Sequence, residues 1–113
     1  MEQIVVSALE DLKAADIRVI DVTGKSPLTD RLVIASGNSS RHVKSMADKL
    51  VRRAREAGVV PLGVEGEREA EWILVDLNDV IVHLMLPRAR AFYNLEKLWE
   101  VSAEKRASAG MPA

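Results

Sequence analysis

Val43, Met46, Ala47, Leu50, Val51 and Ala54 recur at the i, i+3, i+4, i+7 spacing of one face of an α-helix, and Gly58 ends that pattern. Val5, Ala8, Leu9 and Leu12 repeat in the same way with Glu10, Asp11 and Lys13 between them, which predicts a first amphipathic helix over residues 2–15. Other segments follow the strand period. Ile17 to Val22 is β-rich and is broken by Thr-Gly-Lys-Ser-Pro at 23–27. The nearly continuous run Leu32 to Ala35 predicts a strand covered on both faces, inside the sheet. Val59 to Val64 predicts a further strand, and Trp72 to Leu77 and Val80 to Leu86 predict two more, joined by Asn78-Asp79 in a tight hairpin. Pro87 lacks the N–H that a ladder needs and ends the last strand, after which Phe92, Leu95 and Leu98-Trp99 mark a C-terminal helix. The order α-β-β-α-β-β-β-α predicts an α/β (α+β) single domain over residues 1–100, a five-stranded mixed sheet with the two long helices on one side. Residues 101–113 are rich in Ala, Ser, Gly and Pro and predict a disordered tail.

Strict alternation divides the hairpin into two chemistries. With a two-residue turn, Leu77 pairs with Val80, Val75 with Val82 and Ile73 with Leu84, so one face is wholly aliphatic. The other face carries Trp72, Leu74, Asp76, Ile81, His83 and Met85, a carboxylate and an imidazole among apolar groups. Either a partner meets this face or the terminal helix or a second protomer covers it. Burial of one Trp of roughly 200 Å² contributes about 5 kcal/mol, so a partner could draw much of its affinity from Trp72.

Composition removes several classes of function. A chain of 113 residues has material for one core, and 48% hydrophobic with 29% charged residues is ordinary globular usage. No apolar run approaches the roughly 20 residues of a membrane helix, and the N-terminus has no secretory pattern, so a cytoplasmic protein with no membrane partner is expected. The absence of cysteine excludes disulfides, thiol nucleophiles and thiolate metal sites. A net charge of −1 argues against wholesale attraction to nucleic acid.

Local features leave narrower options. The turn Ser36-Gly37-Asn38-Ser39 runs a strand into a helix, where it can cap the first turn through Ser39 or Asn38 or cradle a phosphate. The polar side of that helix carries Arg41, Lys44, Lys49, Arg52, Arg53 and Arg55 against Asp48 and Glu56, a solvated face or a contact for an acidic partner or RNA phosphate. Asp76 and Asp79 flank the hairpin turn as solvated turn-formers, and His42 and His83 have no partner at ligand spacing, so no catalytic residue, metal or cofactor is expected. The enzymatic alternative is a small nucleotidyltransferase-like domain holding a triphosphate on the 36–39 turn and Mg²⁺ on Asp76 or Asp79.

Three segments in combination carry a resemblance. These are Thr29-Asp30 through Ile34-Ala35-Ser36-Gly37 with Ser39, Arg41 and Val43; Glu65-Gly66 with Trp72 to Asp76 and Asp79-Val80-Ile81-Val82-His83; and Arg90, Phe92-Tyr93, Leu95-Glu96 and Leu98-Trp99. Ala8 to Lys13 and Asp16-Ile17 also fit. Together they resemble the ribosomal silencing factors, also called the Iojap-related family. The resemblance implies a nucleotidyltransferase-like α/β fold and a factor that binds large-subunit ribosomal protein number fourteen. Such a factor blocks joining of the ribosomal subunits, represses translation under nutrient limitation, and forms a homodimer when free. It implies no sequence-specific nucleic acid partner. The family's contacts fall on Trp72, Leu77 and Tyr93; Asp76, His83 and Met85 from the mixed face complete the candidate partner-binding set. Leu77 has the wrong parity for that face, so it either reaches out at the end of the turn or the turn contains a bulge. The chain departs from the family's pattern at Arg31 and at Asn78, where Asn can supply the left-handed conformation of a Gly.

Overall fold

The computed structural model describes residues 1–97; the expected Leu98-Trp99 end of the C-terminal helix and the 101–113 tail lie outside the described residues. The elements are α1 (Glu2–Asp11), β1 (Ala15–Asp21), β2 (Arg31–Ser36), α2 (Ser40–Glu56), β3 (Gly63–Glu65), β4 (Trp72–Asp76), β5 (Val80–Met85) and α3 (Pro87–Tyr93). They form the expected five-stranded mixed sheet in the order β1-β2-β5-β4-β3, parallel between β2 and β5 and antiparallel elsewhere. With a neighbour on each side, β2 lies within the sheet, and Leu32 to Ser36 are all buried.

Both long helices pack on one face. Leu9 of α1 and Met46 and Leu50 of α2 are wholly buried against Val33, Val75 and Leu84 of the sheet. Each such side chain contributes about 1.5–3 kcal/mol through the apolar area it removes from water. A smaller core on the opposite face gathers Val22, Leu32, Ile34 and Met85 under Ala89 of α3. None of the helices among the described residues is long and apolar enough to cross a membrane.

Two local features differ from the sequence expectation. Helix α1 ends at Asp11, because Lys13 and Asp16 take positive φ (56° and 48°) and a register shift between Ala15 and Arg18 starts the strand early. Of the expected 59–64 strand only Gly63 and Val64 join the ladder, in a strand that runs on to Glu65. Pro61 has no donor to give, and Val60 and Leu62 stay 66% and 69% exposed. At Arg31, the side chain draws the start of α1 to the end of β1, with Nε 3.1 Å from Glu2 Oε1 and Nη1 3.0 Å from Asp21 Oδ1 and 2.9 Å from Thr23 Oγ1.

The 36–39 turn is used as a cap. Ser39 Oγ accepts from the His42 backbone N–H at 3.1 Å. His42 Nδ1 accepts from the Asn38 N–H at 2.9 Å, which leaves the ring hydrogen on Nε2, 2.6 Å from the Leu12 carbonyl. One imidazole thus ties the first turn of α2 to the end of α1. Gly37 permits the close approach, since a Cβ there would lie 2.8 Å from Val43 Cγ2. Ser39→Ala is expected to lower unfolding free energy by about 1 kcal/mol, while Ser39→Asp, another good cap, retains it. Urea midpoints check this; equal losses in both variants would contradict the capping role.

Candidate functional site

The hairpin closes with the register read from its sequence. Asn78 takes φ 76°, its N–H bonds Asp76 Oδ1 at 2.9 Å, and the Leu77 N–H donates to the Val80 carbonyl at 2.9 Å. Val75 lies opposite Val82, Ile73 opposite Leu84 and Leu74 opposite His83, with no bulge between β4 and β5. That regularity settles Leu77. Its side chain is 1% exposed and packs in the helix-side core, so it does not reach out at the end of the turn.

On the mixed face, Trp72 and His83 are diagonal neighbours across β4 and β5, within reach of each other's side chains. The Trp72 indole Nε1–H donates to His83 Nδ1 at 2.8 Å. Tyr93 of α3 packs on the same indole with ring centroids 4.7 Å apart, and Phe92 meets Tyr93 edge to face at 5.1 Å. The four rings form a ladder from interior to solvent: His83 is 9% exposed, Trp72 half-buried, Tyr93 53% and Phe92 82% exposed. Of the residues singled out from sequence, Trp72, Asp76 and Tyr93 reach the surface. Met85 is wholly buried beneath Ala89 and supports the ladder from inside, as His83 does. Phe92, the most exposed ring, was absent from the candidate set because a short apolar spacing does not say which way a three-turn-or-less helix faces.

Helix α3 is fixed against the sheet by charge as well as apolar contact. Arg90 donates from Nη1 to Ser36 Oγ at 2.9 Å and from Nε to Glu96, and Glu96 also accepts from Arg18 of β1 at 2.6 Å. Asn94 takes φ 47° and turns the chain so that Glu96 can return to Arg90. The Arg90 hydrogen bond holds the Glu96 carboxyl below the usual carboxylate range, against the opposing effect of burial. Nothing in local sequence pattern announces an Arg18–Glu96–Arg90–Ser36 chain, whose members are up to 78 residues apart.

Beside the ladder, a cleft of about 370 Å³ opens between the Gly66–Glu71 turn and α3, with Arg68, Glu69 and Glu71 on one wall and Trp72 and Tyr93 on the other. A second of about 290 Å³ lies across Tyr93, against Arg88 and Phe92. Gly66, at φ 87°, rests on the Trp72 backbone so closely that a Cβ would sit 2.1 Å from the Trp72 carbonyl oxygen. Only glycine fits there. Of the groups of the enzymatic alternative, Ser36 Oγ accepts from Arg90, Ser39 Oγ caps α2, and Asp76 Oδ1 accepts from the Asn78 N–H.

Burial pushes the His83 imidazole down from its ordinary 6.5 to about 4. The folded state therefore favours neutral His83, the form whose Nδ1 can accept the indole hydrogen. The stability this contributes is fully present above pH 6.5, where the unfolded chain is also neutral, and is lost as pH falls toward 4, by about 3 kcal/mol in all. Glu96, with its lowered value, adds a loss that begins as pH falls through the ordinary carboxylate value of 4.5. Urea midpoints are expected to fall between pH 6.5 and 4.5 in the native chain and to stay flatter over that window in His83→Gln. Gly66→Ala is expected to lower the midpoint at every pH, and a wild-type midpoint for it would contradict the contact with Trp72.

Comparisons with known proteins bear on the same elements. The family model described as "Ribosomal silencing factor during starvation" matches residues 1–111. A ribosomal silencing factor of Haemophilus influenzae is 46% identical over 97 residues, covering 86% of this chain and 95% of its own. Mouse "Mitochondrial assembly of ribosomal large subunit protein 1" is 40% identical over 83% of this chain and 42% of its own. A crystal structure of a Chromobacterium violaceum protein superposes with a TM-score of 0.86 at 41% identity, covering 88% of this chain and 82% of that one. By its sequence and by the fold that carries the ladder, this chain belongs to the ribosomal silencing factor family.

Proposed function

We propose that this chain docks on the large ribosomal subunit through the Trp72–Tyr93–Phe92 edge, against ribosomal protein number fourteen, and stands where the small subunit must bind. The observation that carries the reading is the ladder itself: two exposed aromatic rings on a third that is oriented by a buried hydrogen bond. Exposed rings fixed in place lose little entropy on binding, and Trp and Tyr dominate the energetics of interfaces. The two clefts flanking Tyr93 give a partner's side chains somewhere to enter. Action by obstruction needs no catalysis. Joining of subunits is lowered and translation in the cytoplasm is repressed when nutrients are scarce. In free solution the same apolar edge pairs two copies of the chain as a homodimer, which the ribosomal partner displaces.

Asp76, at the other end of β4 from Trp72, lies outside the aromatic edge and orients rather than drives the contact. The rim of an interface stays solvated, so its charges govern encounter more than affinity.

Phe92→Ala and Tyr93→Ala are each expected to weaken binding to isolated large subunits by about 2 kcal/mol, roughly thirtyfold. Phe92 is so exposed that its variant keeps the native melting temperature. Sedimentation with purified subunits checks the reading: the native chain travels with the large subunit alone and reduces joined particles. Undiminished binding by both variants would remove the proposal.

A further inference from the structure

The solvent face of α2 is the largest unspent feature of the molecule. At 100° per residue, Arg41, Lys44, Arg52 and Arg55 fall within an arc of about 80°, spread over about 21 Å of helix. All four are exposed, and Asp48 is the one acidic residue among them. Their neighbours Lys49 and Arg53 are engaged elsewhere, both with Asp11 of α1, at 3.8 and 2.6 Å. Among the described residues the four form no ion pair.

Helix stability accounts for Arg55, which lies in the last turn at the negative end of the dipole, but not for the rest of the arrangement. The first turn of α2 contains no acidic residue and carries Arg41 at the positive end of the helix dipole, where a cation weakens the helix. Arg52 and Arg55, one turn apart, repel each other. A helix selected only to cover the sheet would place acids in that turn and alternate its charges. A breach of a local rule on an otherwise regular element points to use of that surface.

The chemistry of the stripe selects its occupant. It exposes no large apolar side chain, so it lacks the desolvated core on which protein interfaces depend. Isolated cations in water are the means by which phosphate backbones are held without reading sequence. Three of the four are Arg, whose planar fork binds phosphate oxygens in pairs. The helix also lies on the sheet face opposite Trp72 and Met85, so the stripe stays open while the aromatic edge is engaged.

We infer that the Arg41–Lys44–Arg52–Arg55 stripe is a second, electrostatic contact to the sugar-phosphate backbone of ribosomal RNA. Ribosomal RNA as the source of the phosphate rests on the proposed docking; the phosphate chemistry of the stripe does not.

The test uses the full chain and a variant with all four residues changed to Gln, which keeps helix propensity and removes charge. Circular dichroism and melting verify the fold. Binding to large subunits and to a 16-base-pair RNA duplex is measured across a potassium chloride series. Four phosphate contacts give a slope of log affinity against log salt that is steeper by about three in the native chain than in the variant. At low salt the variant is expected to bind large subunits at least tenfold more weakly and to lose backbone protection in hydroxyl-radical footprints of the RNA. Equal slopes and equal footprints overturn the inference. So does weaker binding with an unchanged footprint, which would assign the stripe to an acidic protein surface. If the chain fails to bind large subunits yet binds the duplex with the steep slope, the docking reading fails and the phosphate contact stands. If Tyr93→Ala abolishes subunit binding while the Gln variant matches the native chain, the reverse holds.

Discussion

Asn78, held in the left-handed region with its N–H on the Asp76 carboxylate, closes the β4–β5 turn so that Leu77 meets Val80 and every later pair follows. A slip of β4 by one residue against β5 would turn Ile73 and Val75 away from the helices and bring Trp72 beneath α2. The correct register places an aliphatic surface under the two long helices and an aromatic one under α3. What the protein offers a partner is therefore decided by a two-residue turn. Asn78 can close it because the short amide side chain tolerates positive φ.

The aromatic surface is held from within and from the side. His83 is buried and neutral, so it accepts from the indole and fixes the plane of Trp72; Tyr93 then has a defined platform on which to pack. Helix α3 is short and would not stand alone. It is anchored by Ala89 over Met85, by Arg90 on Ser36, and by Glu96 shared between Arg90 and Arg18. These bonds hold the helix that carries Phe92 and Tyr93 against the sheet.

Much of this was legible in the sequence, and the rest failed for physical reasons. The apolar repeat of α2, the buried run of β2 and the hairpin register follow from side-chain period alone, and the structure reproduces them. The mixed face was identified, but alternation gives a residue's side and not its depth. Met85 shares the mixed face with half-buried Trp72 yet is sealed, and Leu77, on the opposite face, is sealed as well. The 59–64 segment reads as a strand by composition, yet Pro61 keeps its first half out of the ladder. Long-range polar pairs such as Arg18 with Glu96, and the outward aim of Phe92, depend on how α3 returns over the sheet, which no local pattern encodes.

The aromatic edge is the proposed docking surface. Site-specific photo-crosslinking from position 92, with a benzoylphenylalanine in place of the outermost ring, tests this on intact large subunits. A covalent adduct with ribosomal protein number fourteen is the predicted product. Absence of any adduct from position 92, with efficient crosslinking to that protein from a probe at position 60, ahead of β3 near the Asp76 end of β4, would contradict it.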